Sequence, residues 1–205
     1  MVQAMALQAM IEKGLLLVQE EPQHDLRVGF RCRIISAFDA VDGREARRAK
    51  RVKLATLAVE KVLPLWELIL PKDRTPYEAS MLARDLLSEA VSAAAANKQV
   101  GQWWTHCDDL TWKHEEQQSV VMVGYAAIQA VREALSDTHF GCDRVNDEST
   151  DLDIDPYDHD SSFFAAAAYS GGAPWEKTSD ANKRLEFWKW WLTSAVNDAM
   201  QCGAN

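Results

Sequence analysis

The sequence predicts an all-α protein, a single domain of about seven or eight packed helices with a long acidic loop. Apolar residues recur at helical spacing through most of the chain. Helix-start signatures stand ahead of these runs. No segment alternates with the period of two that a half-buried strand needs. At 205 residues and 47% hydrophobic content, the chain reads as one domain, 1–205, that buries about 70% of its unfolded surface. Such a core needs no disulfide or metal staple. Nine glycines and six prolines exclude collagenous and low-complexity classes.

The N-terminal third holds helices at about 2–20 and 25–39, divided by Glu20-Glu21-Pro22. A helix follows in which Val52, Ala55, Val59, Val62, Trp66 and Ile69 share one face. Asp42 and Glu45 fit a capping box at its start. Pro64 should kink or divide it, because proline deletes one backbone bond and crowds the preceding turn. Thr75-Pro76-Tyr77-Glu78 opens the next helix, with Thr75 as N-cap and proline in the first turn; its face is Ala79, Leu82, Leu86 and Ala90. Val121, Gly124, Ile128, Val131 and Leu135 mark another face, where Gly124 permits a close helix approach. Gly171-Gly172 ends a helix over 163–169. Thr178, Ser179 or Asp180 caps the last one, which carries Leu185, Trp188, Leu192, Ala195 and Ala199. Val59, Val62, Trp66, Leu82, Leu86, Ile128 and Trp188 are the expected core.

Charge is uneven. Residues 143–160 hold eight acids and one base, a net −7, against 21 bases and 23 acids elsewhere. That balance argues against general nucleic-acid binding, which needs a basic surface, and it suits a partner with a basic face. The segment is part of a loop over 137–160, long enough to be functional or mobile. Six bases, Arg44, Arg47, Arg48, Lys50, Arg51 and Lys53, crowd a helix start, where they oppose the dipole. Solvent with Glu45, the acidic segment folding back, or a bound phosphate could each compensate them.

Chemical motifs are few. Asp151-Leu-Asp153-Ile-Asp155 begins like a calcium loop, but Pro156 stands where glycine is needed and Ser162 where a bidentate Glu belongs. His106, Cys107, Asp108, Asp109, His114 and Glu115 form the best metal-like cluster, without an HExxH spacing. His24-Asp25 and His159-Asp160 are isolated HD pairs. No nucleophile elbow, phosphate loop or dinucleotide fingerprint is present, so no catalytic, cofactor-binding or metal residue is assigned. Cys32, Cys107, Cys142 and Cys202 are widely and irregularly spaced. They read as reduced thiols in a cytoplasm. No stretch reaches the 18 apolar residues of a membrane span. Among the eight tryptophans, those around Phe187-Trp188-Lys189-Trp190-Trp191-Leu192 cover more than one helix face, as in a helix buried on two sides or one exposing an aromatic patch.

Three stretches together carry a resemblance: Val62-Leu-Pro-Leu-Trp66-Glu67; Phe164-Ala-Ala-Ala-Ala-Tyr169-Ser-Gly171-Gly172-Ala-Pro174-Trp175; and Phe187-Trp188-Lys-Trp190-Trp191-Leu192-Thr-Ser-Ala195-Val196. Their order and spacing resemble the all-α "type-five" immunity-protein family of bacterial polymorphic toxin systems, over about residues 40 to 200. Lys189 departs from the acid that the resemblance would place there. The resemblance implies a non-catalytic cytoplasmic protein that binds and neutralises a cognate toxin. Joined to the charge pattern, it implies a toxin with a basic surface. The partner-binding candidates are then Asp151, Asp153, Asp155, Asp158 and Asp160, with Trp175 and Trp190 as the next surface. A competing account pairs these acids with Arg44 to Lys53 inside the molecule. The alternative function is a small helical metal- or ligand-dependent hydrolase or ligand-binding protein.

Overall fold

The computed structural model describes residues 2–38, 43–114, 117–136, 138, 142 and 145–202. Asp42 of the expected capping box, Glu115 of the polar cluster, and Asp143 and Arg144 of the acidic segment lie outside these residues. The described chain is helical, with no strand. In order come α1 (Val2–Glu20), α2 (Val28–Ala37), α3 (Arg44–Ile69), α4 (Thr75–Asp85), α5 (Ala93–Lys113), α6 (Gln118–Leu135), α7 (Ser161–Ser170) and α8 (Ala181–Trp190). The last runs on through a π turn (Trp191–Ala195) into α9 (Val196–Met200).

α6 is the hub, with α3, α4, α5 and α7 packed around it. From Val121 to Ala134 every α6 residue except Met122 and Arg132 is buried. Its sequence shows more than the single expected face because Ala126, Ala127 and Ala130 line the other sides and let neighbouring helices approach. Gly124 makes the close contact its identity suggests. A Cβ there would stand 2.6 Å from Cys107 Sγ and 3.1 Å from the Trp66 ring. Val59, Val62, Trp66, Leu86, Ile128 and Trp188 are buried as expected. Leu82 is only partly buried, at the edge of the cluster.

The helix punctuation is partly as read. Asp180 Oδ1 accepts from the amides of Asn182 and Lys183, and Gly171 ends α7 at φ +85°, a conformation that favours glycine. Two expectations shift. Of the two outcomes expected at Pro64, division does not occur, since α3 runs through it as one helix; Pro64 is exposed, so the backbone carbonyl it leaves without a helix partner can meet water. Thr75 is the first residue of α4, not its cap. The preceding turn supplies the acceptor instead, since Asp73 Oδ1 takes the Thr75 amide.

The basic start of α3 meets the end of α6. Arg48 Nε donates to the Ala134 carbonyl, and Arg51 Nε pairs with Glu133 at 2.6 Å in a buried contact. The positive end of α3 is thereby set on the negative end of α6.

Two of the four cysteines overturn the reading of reduced thiols. Cys32 on α2 and Cys142 form a disulfide across 110 residues, while Cys107 and Cys202 are free. The pairing is set by the docking of the acidic loop on α2, which residue spacing does not reveal.

Candidate functional site

The acidic segment is built onto α2. Gly29 lets the backbones touch: a Cβ there would lie 1.8 Å from the Asn146 carbonyl oxygen, and its amide donates to Ser149 O. Arg27 pairs with Glu148 and Arg33 with Asp147 at the surface. Between them Arg31 is fully buried. It holds Asp151 with both Nη atoms (2.5 and 2.9 Å), Asp160 through Nε (2.7 Å) and the Leu26 carbonyl. A fork matched to two carboxylates is the geometry at which arginine excels. Burial opposes the guanidinium charge, but Asp151 and Asp160 outweigh it and hold Arg31 firmly protonated.

Two further charges adjoin this centre. Arg184 is buried, with Nη1 3.6 Å from Asp25 Oδ1 and Nη2 donating to Ser170 Oγ. Burial lowers its pKa, against the pull of Asp25. Burial and then the charge of Asp151 raise the Asp25 carboxyl to about 6, although Arg31, Arg184 and the Trp188 indole N–H oppose the shift. The acids of the two HD pairs, Asp25 and Asp160, therefore face guanidinium groups of the protein itself.

Beyond Asp151 the segment makes two short turns. Asp153 Oδ2 accepts from the Thr150 amide and hydroxyl, which holds its carboxyl below the usual range. Asp155 Oδ1 accepts from the Tyr157 amide. The turn Pro156–Asp158 is fixed to α6 by Gln129, which donates to the Tyr157 carbonyl at 2.8 Å, and by Arg132, 3.3 Å from Asp158. Asp160 Oδ1 then caps α7 at the Phe163 amide, so this carboxylate both starts a helix and neutralises Arg31.

These turns close an aromatic cleft of about 340 Å³ against α5, α6 and α7. Trp104 packs 4.9 Å from both Tyr125 and Tyr157. Tyr125 continues to Phe164 at 5.4 Å. On the other flank His159 stacks on Phe163 at 4.0 Å, and Phe163 on Trp175 at 5.7 Å. His159 is oriented by donating Nε2–H to the Asp151 carbonyl. Tyr125 donates its hydroxyl to Asp108 Oδ1 at 2.5 Å; burial and this carboxylate keep the phenol protonated well above its usual range. Tyr157 and Trp175 are the outward rings, 59% and 48% exposed.

The candidate residues separate into two groups. Asp153, Asp155 and Trp175 stand at the surface. Asp151 and Asp160 do not: at 3% and 4% exposure they are internal partners of Arg31, and the picture of a wholly solvated acidic loop fails for them. Asp158 is held by Arg132. Trp190 is half-buried beside Phe187, with Lys61 Nζ 5.2 Å from its ring centre. Trp104, Tyr125 and Tyr157 were not singled out from sequence, because each belongs to a different stretch and only folding unites them. The metal-like cluster points three ways. His106 pairs with Asp73 at 2.6 Å, Asp108 meets Tyr125, and Cys107 lies in the core with its thiol pushed up by burial. Among the described residues no group of three or more His, Cys, Asp or Glu converges as ligands.

Fold and site together define a protein whose described residues form an all-α frame presenting an acidic, aromatic surface cleft. Residues 11–198 match the family described as Immunity protein Imm5. The chain belongs to that family. No curated protein matches it significantly. No helix among the described residues is long and apolar enough to cross a membrane.

Proposed function

We propose that this protein binds a cognate bacterial toxin of a polymorphic toxin system and neutralises it by covering the toxin's site, without catalysis. Family membership supports an immunity role. The observation that carries the mode of action is the face formed by Asp153, Asp155, Tyr157 and Trp175, exposed yet held by turns pinned to α2 and α6. Such a face enters a complex with little ordering loss. Its carboxylates steer a basic surface, and its aromatic side chains supply anchors.

Co-expression with the toxin encoded beside it tests the role: the protein should restore growth. Asp153→Asn with Asp155→Asn should slow toxin association and flatten its salt dependence, since rim charges act mainly on the encounter and are screened within about 8 Å at physiological salt. Folding should be unaffected. Failure to restore growth removes the immunity role, whereas unchanged association rates remove only these two acids from the interface.

A further inference from the structure

The aromatic cleft has a chemistry more specific than an apolar groove. Among the described residues its walls carry two acids, Asp108 and Glu176, the imidazole of His159, and no lysine or arginine. Arg132, close by, is committed to the Tyr157 carbonyl and to Asp158. Asp108 Oδ1 accepts from the Tyr125 hydroxyl, and among the described residues none donates to Oδ2. Glu176 uses Oε2 to accept the Ala173 amide. Ring faces carry negative quadrupoles that attract a cation within about 6 Å, so acids and rings select the same ligand. At about 340 Å³ the cleft is at the small end of ligand sites, which span about 300–1,000 Å³. That size suits one long side chain.

We infer that this cleft seats a single arginine side chain of the toxin, its guanidinium over Trp104, Tyr157 and Trp175 and its N–H groups toward Asp108 and Glu176. Arginine is favoured over lysine because its planar group stacks on rings and forks to carboxylates at once. The inference rests on the toxin-binding reading, and it names the contact that reading leaves open. Docking here would extend the face of Asp153 and Asp155 inward, with those acids guiding the approach and the cleft fixing the register.

The test needs no toxin at first. Acetyl-Gly-Arg-Gly-amide and its citrulline counterpart, which keeps the shape and loses the charge, are titrated while the indole N–H resonances of Trp104 and Trp175 are followed. The arginine peptide should move both resonances saturably, and citrulline should bind about tenfold more weakly. Glu176→Gln and Asp108→Asn should each weaken the arginine peptide severalfold and leave the citrulline peptide unchanged. Should loss of the Tyr125 bond unfold the Asp108 variant, Glu176→Gln and the surface variant Tyr157→Ala decide alone. Equal binding of the two peptides, or no movement of the Trp104 and Trp175 resonances, overturns the inference. In the complex, Trp175→Ala should raise the toxin Kd about tenfold or more. An unchanged Kd rejects the cleft even where the wild-type protein neutralises the toxin. Selective peptide binding without neutralisation would keep the cation site and discard the immunity role.

Discussion

The α3–α6–α7 packing and the α2–acidic-segment junction sit side by side and are held together by different physics. In the first, Trp66, Val62, Ile128 and the alanines of α6 and α7 are buried through area and close fit. Many small contacts add up there, and none of them is directional. In the second, apolar neighbours such as Phe163 and Trp188 surround Arg31, but polar and covalent contacts make the join. Arg31 with its two carboxylates, the bare backbone of Gly29 and the Cys32–Cys142 bond hold the segment in one place. Each is directional, and each is useful only while its partners are in position. The contrast teaches that residues 145–160 are held by directional contacts to α2 and α6 rather than by a helix's own bonding.

Arg31→Met attacks the junction hardest. It strands two buried carboxylates and should cost about 3–5 kcal/mol. Adding Asp151→Asn and Asp160→Asn should return much of that loss, as read by urea unfolding, because the stranded charge is then gone. Trp66→Ala should cost a similar 3–5 kcal/mol, with no polar substitution able to restore it. A triple variant as unstable as Arg31→Met would show that the junction works by fit after all. Cys32→Ser with Cys142→Ser comes next, at about 2–4 kcal/mol, checked by melting with and without reductant; reductant should not affect the double variant. Gly29→Ala forces the Asn146 backbone outward and should cost about 1–3 kcal/mol. Amide exchange should quicken over 145–151 while α6 stays protected. Exchange that quickens evenly across α6 would merge the two regions into one unit.

Asp25 gives the smallest effect and the opposite sign. Its carboxyl is raised to about 6 in the folded state, so the folded protein binds more protons than the unfolded chain between about pH 4 and pH 6. Stability from this group is therefore greatest below that window and declines as pH rises through it. Asp25→Asn should stabilise the protein at pH 7 by about 1 kcal/mol, after the lost pairing with Arg184 offsets part of the gain. The advantage should vanish near pH 4. A constant difference across pH would place the proton elsewhere.

What the sequence made legible was local. Spacing of three and four residues marked α3 and α6, Gly171 and the run Thr178-Ser179-Asp180 marked helix ends, and Gly124 marked a close crossing; each signal lies within a few turns of its consequence. The family resemblance was legible for the same reason, since its motifs are compact aromatic runs. The junction was not. Arg31 meets Asp151 and Asp160 across 120 and 129 residues, and nothing about an arginine on α2 announces two acids that far away. The acids were visible as a charge excess, but which were buried depended on where α2 sat. The cleft failed to show for a similar reason, as Trp104, Tyr125, Tyr157 and Trp175 come from four segments. The basic start of α3 was seen, yet Arg48 and Arg51 proved to meet the last turn of α6, at the Ala134 carbonyl and Glu133, a pairing across more than 80 residues that local spacing does not register.

The Cys32–Cys142 bond joins positions 110 residues apart, and α3, α4, α5 and α6 all lie between them. The chain is thus a covalent ring with two tails, α1 at one end and α7 to α9 at the other. A single protease cut in an exposed stretch inside the ring, such as the turn near Glu89 to Ser92, would open the ring and release nothing. The nicked protein would run at full mass on a denaturing gel until thiol is added, and only then separate into two pieces. A cut outside the ring, near Lys177, would free a C-terminal fragment under either condition.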